Sequence, residues 1–130
     1  MGRLRSQTES RRRGRAVTKL HAVDNAGATE EAPIAADRLV EGAPTSRTSI
    51  DYERNEKIYA GEWSAGVGAW RVRYDEWEFC HVLEGACELV GDDGETQSYA
   101  AGDSFIIEPG FSGIWRVMSP MKKHFVIRYD

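Results

Sequence analysis

The chain has 130 residues, of which 41% are hydrophobic, and this suits a single domain with its own core. The net charge of −4 is unevenly spread, because residues 1–23 carry seven Lys or Arg against one acid, whereas residues 24–130 carry ten against twenty. An acidic body without a basic stripe argues against nucleic-acid binding. The lack of an apolar run of roughly 18 residues argues against a membrane span. Two cysteines, Cys80 and Cys87, lack disulfide or CxxC spacing and are expected to be free thiols, so we expect a cytoplasmic protein.

The start of the chain differs in texture from the rest. Residues 1–33 contain few large apolar side chains and show no sustained periodicity. Such a segment buries too little surface to offset the entropy of ordering, so we predict a disordered basic tail over residues 1–33 and a folded domain over residues 34–130. Two other interpretations of the tail stay open, an over-extended start site and a mitochondrial transit peptide.

The body of the chain is rich in predicted strands. After one short helix or loop over residues 35–40, short segments of Val, Ile, Phe, Tyr and Trp are separated by Gly and Asp. The predicted strands are Ile58–Trp63, Ala69–Tyr74, Glu78–Leu83, Ala86–Val90, Thr96–Ala100, Ser104–Glu108, Ile114–Met118 and Lys123–Tyr129. Residues 91–94, Gly-Asp-Asp-Gly, are typical of a tight hairpin turn. Eight short strands at this spacing predict an all-β antiparallel sandwich or barrel.

Alternation along the strands predicts which side chains face the interior. Trp70, Val72 and Tyr74 alternate with two arginines, so the apolar groups are expected inside and the guanidinium groups outside. In the next strand Glu78 shares its face with Cys80, opposite the face that carries His81. The basic residues 122–124 near the last strand are predicted to protect an exposed sheet edge from unwanted pairing.

Two blocks of the body resemble the paired motifs of cupins. In those motifs a Gly, two His, a Glu and a second Gly have fixed spacing, and a Gly-Asp block follows that ends in Pro, Gly and a third His. The first frame here consists of Gly66, Val72, Tyr74, Glu78 and Gly85, and the second of Gly102-Asp103, Glu108-Pro109-Gly110, Gly113 and Val117. The wider pattern is similar to the small single-domain cupins grouped with the (S)-ureidoglycine aminohydrolase cupin domain. This resemblance implies an antiparallel jelly-roll β-barrel over residues 34–130.

The same frame lacks the residues of a cupin metal site. Val72, Tyr74 and Gly113 occupy the three histidine positions, which leaves Glu78 as the only member of the ligand set. A first-row metal needs three or four converging N, O or S donors, so we expect no metal and no other cofactor. The plant ureidoglycine aminohydrolase holds manganese with a Glu, two His and a Gln. That set is absent here, so the activity is not transferred with the resemblance.

A small-molecule pocket inside the barrel is the predicted site. Its predicted lining consists of Val72, Tyr74, Glu78, Cys80, Gly113 and Trp115. If Glu78 lies among aromatic groups without a cation, desolvation raises its pKa and makes it a candidate general acid. Cys80 is either a nucleophile or, more simply, a small core residue.

Three functions remain as hypotheses. The first is a metal-independent cupin that binds a small polar or ureide-like metabolite. We expect this metabolite and, in a homodimer, a second copy of the chain as its partners. The second is an aminohydrolase or isomerase that uses Glu78 as a catalytic acid or base, with or without a weakly held divalent metal. The third is a purely structural or regulatory dimer.

Overall fold

A computed structural model describes residues 18–130, which form nine β-strands and, within that range, no helix. The strands are β1 (Ala28–Pro33), β2 (Leu39–Gly42), β3 (Thr45–Arg54), β4 (Ile58–Ala65), β5 (Gly68–Arg73), β6 (Trp77–Gly91), β7 (Thr96–Ala100), β8 (Ser104–Ile107) and β9 (Ser112–Arg128). They pair antiparallel in the order β1-β3-β4-β9-β5-β2, and β6 adds β7, β8 and β9 as its own partners. The predicted all-β antiparallel fold is confirmed.

Strand β9 is the central strand of the curled sheet. Its first half pairs with β5 and its second half with β4, while β6 runs along nearly its whole length. The strand therefore has hydrogen-bonded neighbours on both sides. The prediction that residues 122–124 protect a free edge is wrong, because these residues pair with β4 on one side and with β6 on the other.

Strand β6 replaces two predicted strands with one bent strand. We expected an interruption at Gly85, but pairing continues from Trp77 to Gly91, with register shifts between Val82 and Cys87. Gly85 has a φ of 80°, and a Cβ atom there would collide with the carbonyl oxygen of Pro120 on β9. Irregular pairing of this kind bends a strand pair, which lets β6 and β9 contribute to both ends of the barrel.

The N-terminal strands are the largest departure from the sequence prediction. Residues 28–33 were expected to be disordered but form β1, which pairs with β3 along its whole length. The carboxylate of Asp51 accepts hydrogen bonds from the backbone N–H groups of Asn25 and Gly27 at 2.9 and 2.8 Å. Predicted disorder over residues 1–17 lies outside the described residues. Residues 35–38 form a turn, and β2 begins at Leu39.

The interior is built from the residues that alternation placed there. Trp70 is buried while its neighbour Arg71 is exposed, and Glu78 and Cys80 are buried together on one face of β6. The 91–94 hairpin is also confirmed, with the Gly94 N–H donating to the Gly91 carbonyl oxygen at 2.9 Å. Both cysteines are free and buried. No segment of residues 18–130 forms a helix of the length and apolarity that crossing a membrane requires.

The bend at Gly85 gives the first testable prediction. Gly85→Ala should lower the free energy of unfolding by roughly 3 kcal/mol or more, because it combines a left-handed backbone with a collision against Pro120. Gly94→Ala is the matched control, since Gly94 has a φ of 93° with open space around the added methyl group. It should cost only about 1–2 kcal/mol. Equal losses for the two variants in urea denaturation would contradict this account of the bend.

Candidate ligand-binding site

A cavity of about 460 Å³ opens at one end of the barrel. Its side walls come from β3, β4, β5, β6 and β9, and the connection between β1 and β2 contributes Ile34 and Arg38 to the rim. Large apolar groups form most of the wall, among them Trp63, Trp70, Trp115 and Phe125. A mostly apolar cavity with a few directed polar groups is the usual form of a small-molecule site.

The polar centre of the cavity is a buried ion pair between Glu78 on β6 and Lys123 on β9. The Nζ atom of Lys123 donates to Oε2 of Glu78 at 2.7 Å, and each side chain is only 5% exposed. Alternation along β9 explains why the lysine points inward, because Met121, Lys123 and Phe125 are buried while residues 122 and 124 are not. An unpaired charge is very costly to bury, so each of the two groups depends on the other.

Aromatic rings enclose the ammonium group. Nζ of Lys123 lies 4.4 Å from the ring centroid of Trp115 and 4.9 Å from that of Trp63. The two rings are themselves in edge contact, with centroids 5.7 Å apart. Cation–π attraction of this kind is stronger where water is excluded, so it adds to the ion pair in holding the charge inside the barrel.

The pKa values of Lys123 and Tyr74 are shifted by burial and by the negative charge of Glu78. Burial by itself lowers the pKa of Lys123, but the negative charge of Glu78 and the hydrogen bonds to its carboxylate outweigh burial and raise that pKa above its usual value. Lys123 is therefore an ammonium ion at neutral pH and a poor nucleophile. Burial, followed by the negative charge of Glu78, raises the pKa of the Tyr74 hydroxyl well above its usual value. Tyr74 therefore remains a neutral hydroxyl group.

Cys80 is an inert part of the same cluster. Its Sγ atom lies 3.3 Å from both Glu78 Oε2 and Lys123 Nζ. Burial raises the pKa of Cys80 to about 12, and the opposing effect of Lys123 is smaller. A thiol of this pKa is almost wholly protonated at neutral pH, which favours the core-residue interpretation over the nucleophile.

Four of the six predicted pocket residues line the cavity, namely Val72, Tyr74, Glu78 and Trp115. Cys80 lies behind Glu78, fully buried, and does not contribute to the wall. Gly113 does not line the cavity either, because β6 and β9 approach closely there and a Cβ atom would collide with the carbonyl oxygen of Val90. A histidine at this position would require the backbone to move.

Lys123 is absent from the predicted pocket, and the prediction for Glu78 does not include a cation beside it. The hypothesis of a protonated Glu78 assumed that no cation was near, and an ammonium group at 2.7 Å removes that assumption. The signal that identifies Lys123 is its inward position in the alternation of β9. We had assigned it instead to an edge.

The residues at the cupin metal positions do not fit a divalent ion. Val72 offers only hydrocarbon, Gly113 has no side chain, and Tyr74 remains protonated. The remaining ligand, Glu78, is already paired with a cation that would repel a metal ion. Among residues 18–130 no cluster of three or more His, Cys, Asp or Glu side chains has the arrangement of a metal site.

Two histidines of the folded body, His81 and His124, lie on strands that contribute to the barrel but away from Glu78. His81 and His124 are cross-strand partners on the opposite face of the sheet. His81 Nδ1 lies 2.7 Å from the Ser104 hydroxyl oxygen, and His124 Nε2 lies 3.8 Å from a carboxylate oxygen of Glu62. These partners keep both rings on the outer surface of the barrel.

Comparison with known families identifies one domain type. The family model described as the EutQ-like cupin domain matches residues 52–125, more than half of the chain. The match confirms the predicted cupin at the level of the superfamily. The finer resemblance to the ureidoglycine aminohydrolase cupin domain stays a prediction. Among proteins with curated descriptions, none is significantly similar to this chain in sequence.

Solved structures agree on the fold. A protein of unknown function from Pseudomonas syringae pv. tomato has a TM-score of 0.71 at 16% identity, with 81% of this chain and 46% of that chain covered. The EutQ protein of Clostridium difficile has a TM-score of 0.59 at 16% identity, with coverage of 65% and 63%. A cupin superfamily protein from Desulfitobacterium hafniense has a TM-score of 0.57 at 11% identity, with coverage of 70% and 82%.

At these identities the likeness shows the fold alone. The chain spans less than two thirds of the length of the first two proteins, so their activities as whole proteins are not transferred to it.

The buried ion pair gives a stability prediction. Lys123→Met should lower the free energy of unfolding by about 3–5 kcal/mol, because it leaves the Glu78 carboxylate buried without its cation. Adding Glu78→Gln to the Lys123→Met variant should lower the free energy of unfolding much less than Glu78→Gln does alone, because no buried Lys123 ammonium is then left without its partner. Lys122→Met, which removes an exposed ion pair with Glu84, is the control and should cost less than about 1 kcal/mol. Additive losses in a double-mutant cycle would show that the pair is not coupled.

The raised pKa values give a pH prediction with a definite sign. The pKa of Cys80 rises from 9.0 to about 12 on folding, so between these values the unfolded chain releases a proton that the folded chain keeps. The free energy of unfolding should therefore fall as the pH rises above 9, by up to about 1.4 kcal/mol per pH unit for this thiol. The raised pKa values of Cys87, Tyr74 and Lys123 act in the same direction. Cys80→Ala should flatten the slope between pH 9 and 10 in urea denaturation, and an unchanged slope would refute this assignment.

Proposed function

The chain belongs to the EutQ-like cupin domain family, and from that premise we propose that it is a metal-independent cupin that binds a small polar or ureide-like metabolite in its barrel. One observation carries the proposal. A cavity of about 460 Å³ with tryptophan walls holds a buried Glu78–Lys123 ion pair at its polar centre. Such a volume suits a metabolite of small or moderate size.

The donor set supports binding without a metal. At the cupin ligand positions only Glu78 retains a donor of the usual kind, and Lys123 already balances its charge. The polar partners available to a ligand are instead the Tyr74 hydroxyl, the ion pair itself, and the hydroxyl groups of Ser46 and Thr48, which lie on the cavity wall. A ureide matches this mixture of donors and acceptors, because it carries both carbonyl oxygens and N–H groups.

Two finer statements belong to this proposal. Kinship with the (S)-ureidoglycine aminohydrolase cupin domain is supported by the retained spacing from Gly66 through Glu78 to Gly85. A homodimer is supported by the outer edges of β1 and β2, which have no strand partner within residues 18–130 and can pair with a second copy. A cytoplasmic location is supported by the two free thiols, Cys80 and Cys87.

The enzymatic alternative has less support from this geometry. General acid catalysis by Glu78 requires a carboxyl group that is free to reach the substrate, and its Oε2 atom is already engaged by the ammonium of Lys123 at 2.7 Å. Nucleophilic catalysis by Cys80 requires a thiolate, which burial disfavours. Binding is therefore the function that the site supports best.

The proposal is tested by thermal shift against ureides, amino acids and sugars on chelator-treated protein. A ligand at 100 times its Kd should stabilise the folded state by about 2.7 kcal/mol and raise the melting temperature by several degrees. Val72→Trp, which projects an indole ring into the cavity and obstructs it, should abolish the shift. Val40→Trp adds the same ring at a residue that is 46% exposed and does not line the cavity, and it should preserve the shift.

Two results would count against the proposal. A shift that survives Val72→Trp would place the ligand elsewhere. A shift that disappears on chelation and returns with one equivalent of a divalent ion would show that binding needs a metal.

A further inference from the structure

The closed end of the cavity carries no net charge. Glu78 contributes one negative charge and Lys123 one positive charge, and both groups are 5% exposed. The other charged residues of the cavity are Arg38, Arg73 and Glu76, which lie at the rim where they are exposed or half-buried. Water screens charges at such positions, so the buried pair determines which charge a ligand can bring to the interior.

A metal ion bound to Glu78 would favour a different ligand charge at this site. A divalent ion beside a single carboxylate leaves the site positive, which attracts an anionic ligand group. Here an ammonium ion stands beside that carboxylate, and the two charges cancel. A carboxylate or an ammonium group on the ligand would then lose its hydration without gaining a compensating charge, which costs free energy.

The hydrogen-bonding groups specify the ligand further. The ammonium of Lys123 has three N–H bonds and donates to Glu78 and Cys80, so one remains available. The indole N–H of Trp115 is the single buried side-chain donor or acceptor without a partner in the described part of the chain, and Trp115 lines the cavity. The remaining N–H bond of Lys123 suits a carbonyl oxygen on the ligand, and the carboxylate of Glu78 can accept from an N–H group.

We propose that the Glu78–Lys123 pair makes the site selective for uncharged ligands that present an amide or ureide group to the pair, with a flat body against the tryptophan walls. This inference rests on the proposed function and narrows its ligand to one charge class. Lys123 is thus the cation beside Glu78, as a metal ion would be, but it favours a neutral ligand instead of an anionic one.

The test uses three probes of nearly the same shape and different charge. Benzamide is neutral, benzoate is anionic and benzamidinium is cationic at pH 7, and each has a planar ring with a planar head group. In calorimetric titrations of the wild-type protein, benzamide should bind at least tenfold more tightly than either ion. Benzoate or benzamidinium binding as tightly as benzamide would overturn the inference.

Charge-altered variants should reverse the preference in opposite directions. Glu78→Gln leaves Lys123 unbalanced, so benzoate should gain at least tenfold relative to benzamide. Lys123→Met leaves Glu78 unbalanced, so benzamidinium should gain instead. Glu84→Gln makes the same chemical change at an exposed position of β6 and should leave the order of the three probes unchanged. An unchanged order in Glu78→Gln or Lys123→Met protein that is folded by circular dichroism would contradict the inference, and the wild-type series decides it if neither variant folds.

Failure here and failure of the proposed function give different results. Binding of the probes in the wrong charge order overturns only the charge selectivity. Absence of binding by all three probes also overturns it. The proposed function itself fails if the wider panel of ureides, amino acids and sugars likewise produces no shift, or if the shift survives Val72→Trp or requires a divalent ion.

Discussion

The buried contact between Glu78 and Lys123 is the interaction on which this structure depends. Two opposite charges share the interior of a barrel that otherwise consists of aromatic and aliphatic groups, and neither is tolerable there without the other. Their separation of 2.7 Å ties the start of β6 to the second half of β9, the two longest strands. Burial first, and then the charge of Glu78, raises the pKa values of Tyr74 and Cys80 beside this contact.

The contact also fits the proposal that this cupin binds its ligand without a metal. Gly85 of the cupin frame serves the bend of β6 against β9, and alternation along β6 places Glu78 inside the barrel. Lys123 on β9 supplies a cation beside Glu78, and the rings of Trp63 and Trp115 take part of the space around it. The site is therefore a preorganised polar centre in which the charges of Glu78 and Lys123 balance each other.

Strand pairing is what brings this centre together. Glu78 and Lys123 are 45 residues apart in sequence, and they meet because β6 and β9 pair along most of their length and bend together at Gly85. The close approach of the two backbones at the bend, and again at Gly113, leaves no space for a side chain. Gly85 and Gly113, which allow the two strands to approach, are therefore positions where a side chain that binds a ligand cannot be accommodated.

The sequence was enough to predict the all-β class, the inward face of Glu78 and the tight turn over residues 91–94, because these follow from local alternation and turn chemistry, and its two spaced motifs predicted the cupin frame by resemblance. It did not reveal β1 or β3, whose polar side chains give little periodic signal and whose pairing arises from distant backbone contacts. Only the tertiary structure decided that β9 is central and that Lys123 is buried. A lysine at a sheet edge and a lysine inside a barrel cannot be distinguished by local sequence. Lys123 is buried because Glu78 on the neighbouring strand balances its charge.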